Sequence, residues 1–331
     1  MKIEEITDHS PHRDPAKLKI GVSACLLGNE VRYDGGHKRA RFLTDVLAPF
    51  VNFVPVCPEV ELGLGVPRET LRLEVSDGET RLVAPGSQTD HTESMTEFSN
   101  ARVEELAKEE LCGFVLMKNS PSCGLFRVKR YPGGKSMPTK DGRGLFAEAL
   151  QRRFPSMPIE EDGRLNDPVL RESFLERAYA LARIKELFAR DWRRRDLVEF
   201  HTKEKLLLMA HSPAGYKKLG NIVGEMDRFE PEELERVYIE TFMAALSEYA
   251  SVGRHVNVLQ HMVGYFTDAL SPKEKAELHG HIVDYKKGIV PILVPLVLIR
   301  HCVSKFDVTW LSKQSYLEPQ PNELMLRTTI K

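Results

Sequence analysis

The feature that most constrains the fold of this 331-residue chain is a change in its hydrophobic pattern near residue 164. Before this point, short apolar runs such as "LKIGVS", "VNFVPV" and "CGFVLM" alternate with stretches that have helical spacing. Strands that alternate with helices predict a mostly parallel sheet, because parallel neighbours are joined by crossover helices. We therefore predict an α/β domain with a mostly parallel sheet over residues 1–163.

Beyond residue 168 nearly every segment has the helical period, which predicts an all-α architecture. One helix start is marked by Ser271 and, three residues later, Glu274, because this spacing is typical of a capping box. The run "PSMPIEEDGRLNDP", rich in proline, glycine and aspartate, marks the end of the first domain. We predict a linker helix over residues 164–195 and an all-α accessory domain over residues 196–331.

Three cysteines each follow a predicted strand of the first domain. Cys25 follows "KIGVSA", Cys57 follows "FVPV", and Cys123 lies in "NSPSCG", just after the third strand. In Rossmann-like sheets the carboxyl ends of the strands share one edge, where ligands bind. Cysteine is commonly a small buried core residue, and that role suits Cys112 and Cys302 in their apolar surroundings. The other three adjoin glycine and proline turns, so we predict that they share one site.

Three thiolates can hold a metal in two ways. They can bind zinc, with His37 as a fourth ligand, although a histidine in the loop "YDGGHKR" is more often an ordinary loop residue than a ligand. They can also bind an iron–sulfur cluster, and since a fully ligated cubane takes four cysteines, three leave one iron with an open position. The five cysteines are an odd number and the amino terminus lacks the apolar core of a secretory signal. Both features favour a reducing cytoplasm, where thiols bind metal or react more often than they pair.

Polar side chains crowd the same predicted loops, and they are Asp34, Glu59, Lys118, Ser120 and Ser122. Taken singly, a carboxylate that follows a strand is typical of a helix start, and serines beside proline are typical of a turn. An acid and hydroxyl groups beside an open metal position, however, together predict a hydrolytic site.

Three blocks of the first domain closely resemble the bacterial TudS-like thiouracil desulfidase family, and they are "SACLLGNEVRYDGGHKR", "PVCPEVELGLGVPRE" and "KNSPSCG". The resemblance runs over most of residues 19–160. It implies a [4Fe-4S] cluster held by Cys25, Cys57 and Cys123, with a fourth iron that has no protein ligand. The stretch "FHTKEKLLLMAHSPAGYKKLG" resembles the helical domain fused to that family in desulfidases that act on 4-thiouridine in tRNA.

The resemblance implies a non-redox desulfidase that replaces C=S by C=O in a thiolated pyrimidine, with water as nucleophile and sulfide as product. An open iron would act as a Lewis acid towards the sulfur. We expect Glu59 to be the general base for the water. We expect Ser122, with Ser120, to bond the ring or relay a proton to it, and Asp34 and Lys118 to hold the pyrimidine edge.

The partner is expected to be tRNA or a thiolated nucleotide. The formal net charge of -1 excludes a positive field over the whole molecule, so a polyanion needs a local basic patch. Candidate patches are residues 190–196, Lys217 with Lys218, and Lys286 with Lys287, although charge runs on helices are commonly just solvated faces. The longest apolar run, at 288–299, is too short for a bilayer span and holds two prolines, so we expect a buried helix and no membrane. No obligate protein partner is predicted.

Three alternatives stay open from the residues alone. The substrate can be free thiouracil or thiouridine monophosphate rather than tRNA. The chain can instead be a non-catalytic RNA regulator that binds zinc or a cluster. The helical half can serve only for dimerisation.

Overall fold

The computed structural model describes residues 18–76, 78–132 and 137–329. Its strands, in chain order, are β1 (Leu18–Ser23), β2 (Val51–Val56), β3 (Arg72–Ser76), β4 (Glu79–Ala84), β5 (Thr89–Asp90), β6 (Gly113–Leu116), β7 (Val128–Pro132), β8 (Thr139–Gly142) and β9 (Ile159–Glu161). Its α-helices are α1 (Pro58–Glu61), α2 (Thr92–Ala107), α3 (Leu145–Arg153), α4 (Pro168–Phe188), α5 (Arg194–His211), α6 (Pro213–Gly224), α7 (Pro231–Ser247), α8 (Val252–Gly264), α9 (Pro272–Lys286), α10 (Leu293–Lys305) and α11 (Thr309–Ser312). This architecture confirms the predicted fold class, an α/β region followed by a helical one.

The first sheet is parallel throughout, in the order β2-β1-β6-β9. The three apolar runs form its first three strands, and Ile20, Val22 and Val115 have no exposed surface. The chain adds β2 on one side of β1 and then returns to add β6 on the other side. At such a switch point the connections leave in opposite directions, so a crevice opens beyond the carboxyl ends of β1 and β6.

A second sheet, in the order β5-β4-β3-β7-β8, was not among the predicted elements. Its pairs are antiparallel except for β3 with β7, which are parallel. The sequence "LRLEVSDGETRLVA" alternates apolar and polar residues around an Asp-Gly pair, which is a known hairpin signal. The connection from α1 to β3, residues 62–71, runs alongside the first sheet's crevice and contributes residues to it.

The amphipathic helix predicted over 40–50 is shorter in the structure and has π-helical geometry over Phe42–Leu47. The amide of Ala48 donates to the carbonyl of Leu43, five residues earlier, which is the bond that defines this geometry. The buried side chains of Leu43 and Leu47 hold the turn against the first sheet.

The predicted linker helix corresponds to α4, which contacts both halves of the molecule. Near its amino end, Phe174 and Leu175 pack in the same apolar cluster as β1. Further along, Leu181 and Ile184 pack in the cluster that contains most of the helical half. The carboxyl-terminal segment returns to the first half, because Leu324 also belongs to the β1 cluster.

The capping box at α9 is confirmed. The amide of Glu274 donates to the Ser271 hydroxyl at 3.3 Å, and the amide of Ser271 donates to the Glu274 carboxylate at 2.8 Å. Cys112 and Cys302 are both buried, in agreement with their predicted core roles. Among the described residues, no helix is both long enough and apolar enough to cross a bilayer.

Candidate active site

Cys25 lies in a 3-10 turn, Ala24–Leu27, that continues directly from β1. Gly28 ends this turn with a φ of 98°, a left-handed conformation that glycine adopts without strain. The Cys25 carbonyl accepts the amides of Gly28 at 3.3 Å and Lys38 at 2.9 Å. These bonds fix the backbone of the first cysteine and bring the 31–39 loop against it.

Cys57 directly follows β2 and is the N-cap of the short helix α1. Its amide donates to the Glu61 carboxylate at 2.8 Å, and its thiol lies 3.7 Å from the carbonyl oxygen of Val31. Pro58 occupies the first helical position, where a missing amide proton costs nothing. The sequence therefore starts a helix at the second cysteine and holds the thiol at the sheet edge.

Cys123 is held by a serine turn after β6. The Ser120 hydroxyl accepts the amides of Ser122 at 3.2 Å and Cys123 at 3.1 Å, and the Ser120 carbonyl accepts the amide of Gly124 at 2.8 Å. A Cβ on Gly124 would lie 2.7 Å from that carbonyl oxygen, so only glycine fits this position. The "SPSCG" motif is thus a compact turn that fixes the third cysteine.

All three cysteines line one cavity of about 460 Å³ at the carboxyl ends of the strands. Glu59, Lys118 and Ser120 line the same cavity, whereas His37 is not among the described residues of its wall. The sheet order explains this convergence, because β2, β1 and β6 are adjacent and point the same way.

The three thiols are free of disulfides, and their pKa values are raised. Burial, with a smaller contribution from the nearby Cys57, raises the pKa of the Cys25 thiol to about 12. Burial also raises the pKa of Cys57, and it raises that of Cys123 well above its usual value. The protein alone therefore holds three protonated thiols, and a metal bound by their sulfurs would displace the protons.

Within the described part of the chain, no three histidine, cysteine, aspartate or glutamate side chains form a group that could hold a metal ion. The ligands of a single ion all contact the same atom, whereas each cysteine of a cubane cluster binds a different iron. Three separate thiols on one cavity wall suit that second arrangement in their donor chemistry. Among the described wall residues there is no fourth cysteine, which would leave one iron of such a cluster without a protein ligand.

Glu59 is the most constrained polar side chain of the cavity. Arg68 donates to its Oε2 twice, from Nε at 2.9 Å and from Nη2 at 2.7 Å. Ser122 donates its hydroxyl to Oε1 at 2.8 Å. The Arg68 side chain is only 6% exposed and also donates to the Val31 carbonyl at 3.0 Å. The carboxylate is therefore held from two sides, with acceptor capacity left on Oε1.

Arg68 was not among the predicted site residues, although it lies in the "GVPRE" end of the second cysteine block. Sequence spacing gives no sign that an arginine nine residues after Glu59 returns to it. The loop 62–71 produces this contact, and Arg68 also donates to the Gly65 carbonyl at 2.9 Å within that loop.

The other predicted residues occupy different positions relative to the cavity. Ser122 has no exposed surface and is not among the described residues of the cavity wall, but its hydroxyl donates to Glu59, which lines the cavity. Lys118 lines the cavity and is exposed. Asp34 is exposed, does not line the cavity, and accepts the amide of Gly36 at 3.1 Å, a bond that lowers its pKa.

Two family models match the chain. Residues 20–162 match the family described as 2-thiouracil desulfurase, and residues 205–321 match the family described as protein of unknown function (DUF1722). The first match contains all three cysteines and Glu59. The second covers most of the helical half.

Curated relatives include two uncharacterized proteins. YbgA of Escherichia coli is 32% identical over 157 residues, which cover 47% of this chain and 93% of YbgA. YbbK of Bacillus subtilis is 32% identical over 154 residues, which cover 45% of this chain and 98% of YbbK. Among solved structures, the [4Fe-4S]-dependent thiouracil desulfidase TudS is 29% identical, with a TM-score of 0.38 over 46% of this chain and 95% of that chain. By its matched residues, the chain belongs to the 2-thiouracil desulfurase family and carries a DUF1722 region in its helical half.

Proposed function

We propose that this protein removes sulfur from 4-thiouridine in tRNA, giving uridine and sulfide without electron transfer. The observation that carries the proposal is the convergence of three strand-end cysteines and an anchored carboxylate on one cavity. Membership of the desulfurase family supports an enzyme that acts on a thiolated pyrimidine. The choice of tRNA as substrate rests on the helical half.

Cys25, Cys57 and Cys123 would hold a [4Fe-4S] cluster. When bound, such a cluster supplies a thiophilic Lewis acid at the iron that no cysteine ligates. The surrounding chain supplies the remaining chemistry: it positions the pyrimidine, activates water and keeps the carboxylate in place.

Glu59 is the proposed general base. A water molecule bonded to the free side of Oε1 would lose its proton to the carboxylate as its oxygen bonds to the ring carbon. The carbon–sulfur bond then breaks, and the two water protons leave with the sulfide. A positioned base of this kind contributes about 10²–10⁴-fold in rate. Arg68 and Ser122 would act through Glu59, because both bond its carboxylate and fix its orientation.

Ser120 and Lys118 are the proposed contacts to the pyrimidine, because both line the cavity. We assign Ser122 to positioning Glu59, since its buried hydroxyl already donates to that carboxylate. For Asp34 to hold the pyrimidine edge, the loop around Gly36 would have to turn it inward from its exposed position.

Basic side chains of the helical half support an RNA partner. Lys217 and Lys218 on α6, with Lys286 and Lys287 at the end of α9, are exposed and form no ion pair to a described residue. Uncompensated lysines of this kind contact phosphates, and their contribution falls as salt rises.

The 190–196 run supports this role less well. Arg194 forms an ion pair with Asp227. The Trp192 indole donates to Glu235 at 2.7 Å and packs edge-on against a neighbouring aromatic ring, so it does not stand free to stack on a base.

The test is sulfide release by anaerobically purified protein from tRNA that bears 4-thiouridine and from free 4-thiouridine monophosphate. We expect iron and labile sulfide in the protein, and turnover of the tRNA. Replacing both α6 lysines, Lys217→Gln with Lys218→Gln, should slow the tRNA reaction and leave the free nucleotide reaction unchanged.

Absence of sulfide release from both substrates would contradict the desulfidase. Release from the free nucleotide alone would contradict the tRNA assignment. A colourless protein that contains zinc would contradict the cluster.

A further inference from the structure

Cys123 lies farther from its strand than the other two cysteines of the cavity. Cys25 is two residues beyond β1 and Cys57 directly follows β2, so the first sheet itself fixes both positions. Cys123 is seven residues beyond the end of β6, in the segment 117–127 that joins β6 to β7 and that we call the Cys123 loop. The serine turn shapes this loop locally, but its attachment to the sheet depends on contacts from another strand.

Glu161, the last residue of β9, binds the arm of the Cys123 loop that follows the cysteine. Its Oε1 accepts the amides of Leu125 at 2.9 Å and Phe126 at 3.0 Å. Glu161 is only 6% exposed, so water competes little for its carboxylate. Buried amides need an acceptor, and hydrogen bonds to a carboxylate are stronger than those to a neutral oxygen. This one side chain therefore bonds two consecutive amides just beyond the cysteine.

Asp162, the next residue, binds the other arm of the loop. Its Oδ1 accepts the amide of Lys118 at 2.9 Å, and its own amide donates to the Leu116 carbonyl at 3.0 Å. β9 and β6 are parallel neighbours in the first sheet. The loop that leaves β6 is therefore bonded on both arms to the end of the adjacent strand.

The backbone of the Cys123 loop is bent at both ends. Asn119 has a φ of 60° and Arg127 a φ of 56°, a left-handed conformation that costs free energy in a residue with a side chain. Such residues persist where the surrounding contacts impose their conformation. The amides of Lys118 and Phe126, which β9 accepts, adjoin these two bends. The bonds to β9 thus act where the loop has most need of them.

We infer that Glu161 is a positioning residue, whose carboxylate holds the Cys123 loop where the third sulfur can bind the same cluster as Cys25 and Cys57. The inference rests on the proposed function, and it concerns the one proposed ligand that the strand ends do not place directly. Without the carboxylate, two amides lose their acceptor and the bent loop is free to open. Cys123 would then leave its buried position, while the other two thiols keep theirs.

The test is the rate at which iodoacetamide alkylates each cysteine of the full, iron-free chain, measured by mass spectrometry of the cysteine peptides. Glu161→Ala should speed the alkylation of Cys123 about 10-fold, on the scale of one lost hydrogen bond to a charged group. Cys112, which is 6% exposed like Cys123, should react at its wild-type rate. Glu161→Gln keeps an acceptor oxygen and should restore the slow reaction.

The control for general stability is Glu204→Ala, which removes a buried carboxylate bonded to Arg183 and Ser315 in the helical half. It should lower the midpoint of urea unfolding without selective alkylation of Cys123. If Glu161→Ala does not fold, Asp162→Ala takes its place, because it frees the other arm of the loop at a less buried position. That variant should also speed the reaction of Cys123 selectively, by a smaller factor.

Anaerobic iron uptake is measured on the same variants, and Glu161→Ala should bind less iron than Glu161→Gln. A wild-type rate at Cys123 in the alanine variants would overturn the inference. Equal acceleration of Cys112 would also overturn it, since it would indicate a loss of general stability, as would full iron content in a variant whose Cys123 reacts faster. Wild-type protein that binds no iron or releases no sulfide would contradict the proposed function instead, and the alkylation rates would still report on the loop.

Discussion

The cysteine cavity and the core of the helical half use titratable groups in opposite ways. At the cavity, three thiols line open space at the strand ends, and burial outweighs the nearby Arg32 and Arg68 in raising the pKa values of Cys25 and Cys57. In the helical half, the buried Glu176 lies 2.9 Å from Arg327 and 3.4 Å from the His211 ring. Glu172 lies 3.9 Å from the same arginine.

This contrast indicates that the thiols of the cavity serve to bind a ligand, whereas the buried ion pairs of the helical half serve to stabilise the fold. In the helical half, charges on α4 are matched by a cation from the carboxyl-terminal segment, so they join distant parts of the chain. At the cavity, the thiols keep their protons and stay neutral, so they need no matching charge until a bound metal displaces those protons. Mutations in the two regions should therefore fail in different ways, function in one and stability in the other.

The largest effect is expected at the cysteines. Cys123→Ala should abolish both bound iron and sulfide release, because the remaining two thiols cannot hold a cubane. The measurement is iron and labile sulfide per chain after anaerobic purification, together with turnover. Cys302→Ala, which removes a buried thiol on α10, is the control and should keep its iron. Full iron content in the Cys123 variant would break the distinction between the two regions.

The next effect concerns Glu59. Glu59→Gln should lower kcat by about 10²–10⁴-fold while iron content stays at the wild-type level, because an amide cannot accept the water proton. Single-turnover sulfide release measures it. Glu97→Gln, on the exposed face of α2, is the matched control. Normal turnover of the Glu59 variant would show that another group activates the water.

The third effect belongs to the helical half and is a loss of stability. Arg327→Met should lower the free energy of unfolding by about 3–5 kcal/mol, because it removes the guanidinium that is paired with the buried Glu176 carboxylate. Denaturant unfolding measures it. Arg236→Met removes an exposed helical pair with Glu240 and should cost about 0–1 kcal/mol. A similar cost for the two variants would mean that the buried pair does not hold the carboxyl-terminal segment.

The two regions also differed in how far the sequence predicted them. The strands that carry Cys25, Cys57 and Cys123 follow from local apolar runs, and the rule for parallel sheets brings their ends together. Arg68 could not be predicted, because its contact with Glu59 depends on the path of a loop. The pair of Glu176 and Arg327 spans 151 residues, and no local pattern indicates such a contact.

The orientation of Asp34 was equally beyond prediction, because it depends on contacts within the loop, namely a hydrogen bond from the Gly36 amide and an ion pair with Arg32. The second sheet is a different case. Its alternating apolar and polar residues and its Asp-Gly pair are both signals of a β-hairpin, so the pairing of β3 with β4 could have been predicted from the sequence.

A smaller effect is expected at Ser122. Ser122→Ala should lower kcat by about 10-fold, since it removes one hydrogen bond to a charged group that is worth about 1.5 kcal/mol. Iron content should not change. Ser99→Ala is a close control, because Ser99 is also fully buried and its hydroxyl has no hydrogen-bond partner among the described residues. Equal losses in the two serine variants would attribute the effect to packing rather than to Glu59.

The smallest effect is a difference in acid sensitivity. Burial alone would raise the pKa of Glu176, but the Arg327 guanidinium and the His211 ring outweigh it and hold that pKa well below its usual range. A carboxyl group with a lowered folded-state pKa stabilises the fold above its unfolded-state pKa of about 4.3, and this contribution is lost as the pH falls below that value. His255 also faces the carboxylate and adds to the same direction.

Glu176→Gln should therefore be less stable than the wild type at pH 6, and the gap should close by about 1 kcal/mol per pH unit below pH 4. Urea unfolding of both proteins at several pH values between 6 and 3 measures the gap. A gap that stays constant down to pH 3 would mean that Glu176 is already protonated in the folded protein at pH 6. Glu176 and the thiols of the cavity would then both be neutral when buried, and the contrast between the two regions would disappear. A gap that closes would show that Glu176 is charged at pH 6 although it is buried, because the Arg327 guanidinium offsets the effect of burial on its pKa. At the three thiols burial prevails, and the protons stay bound.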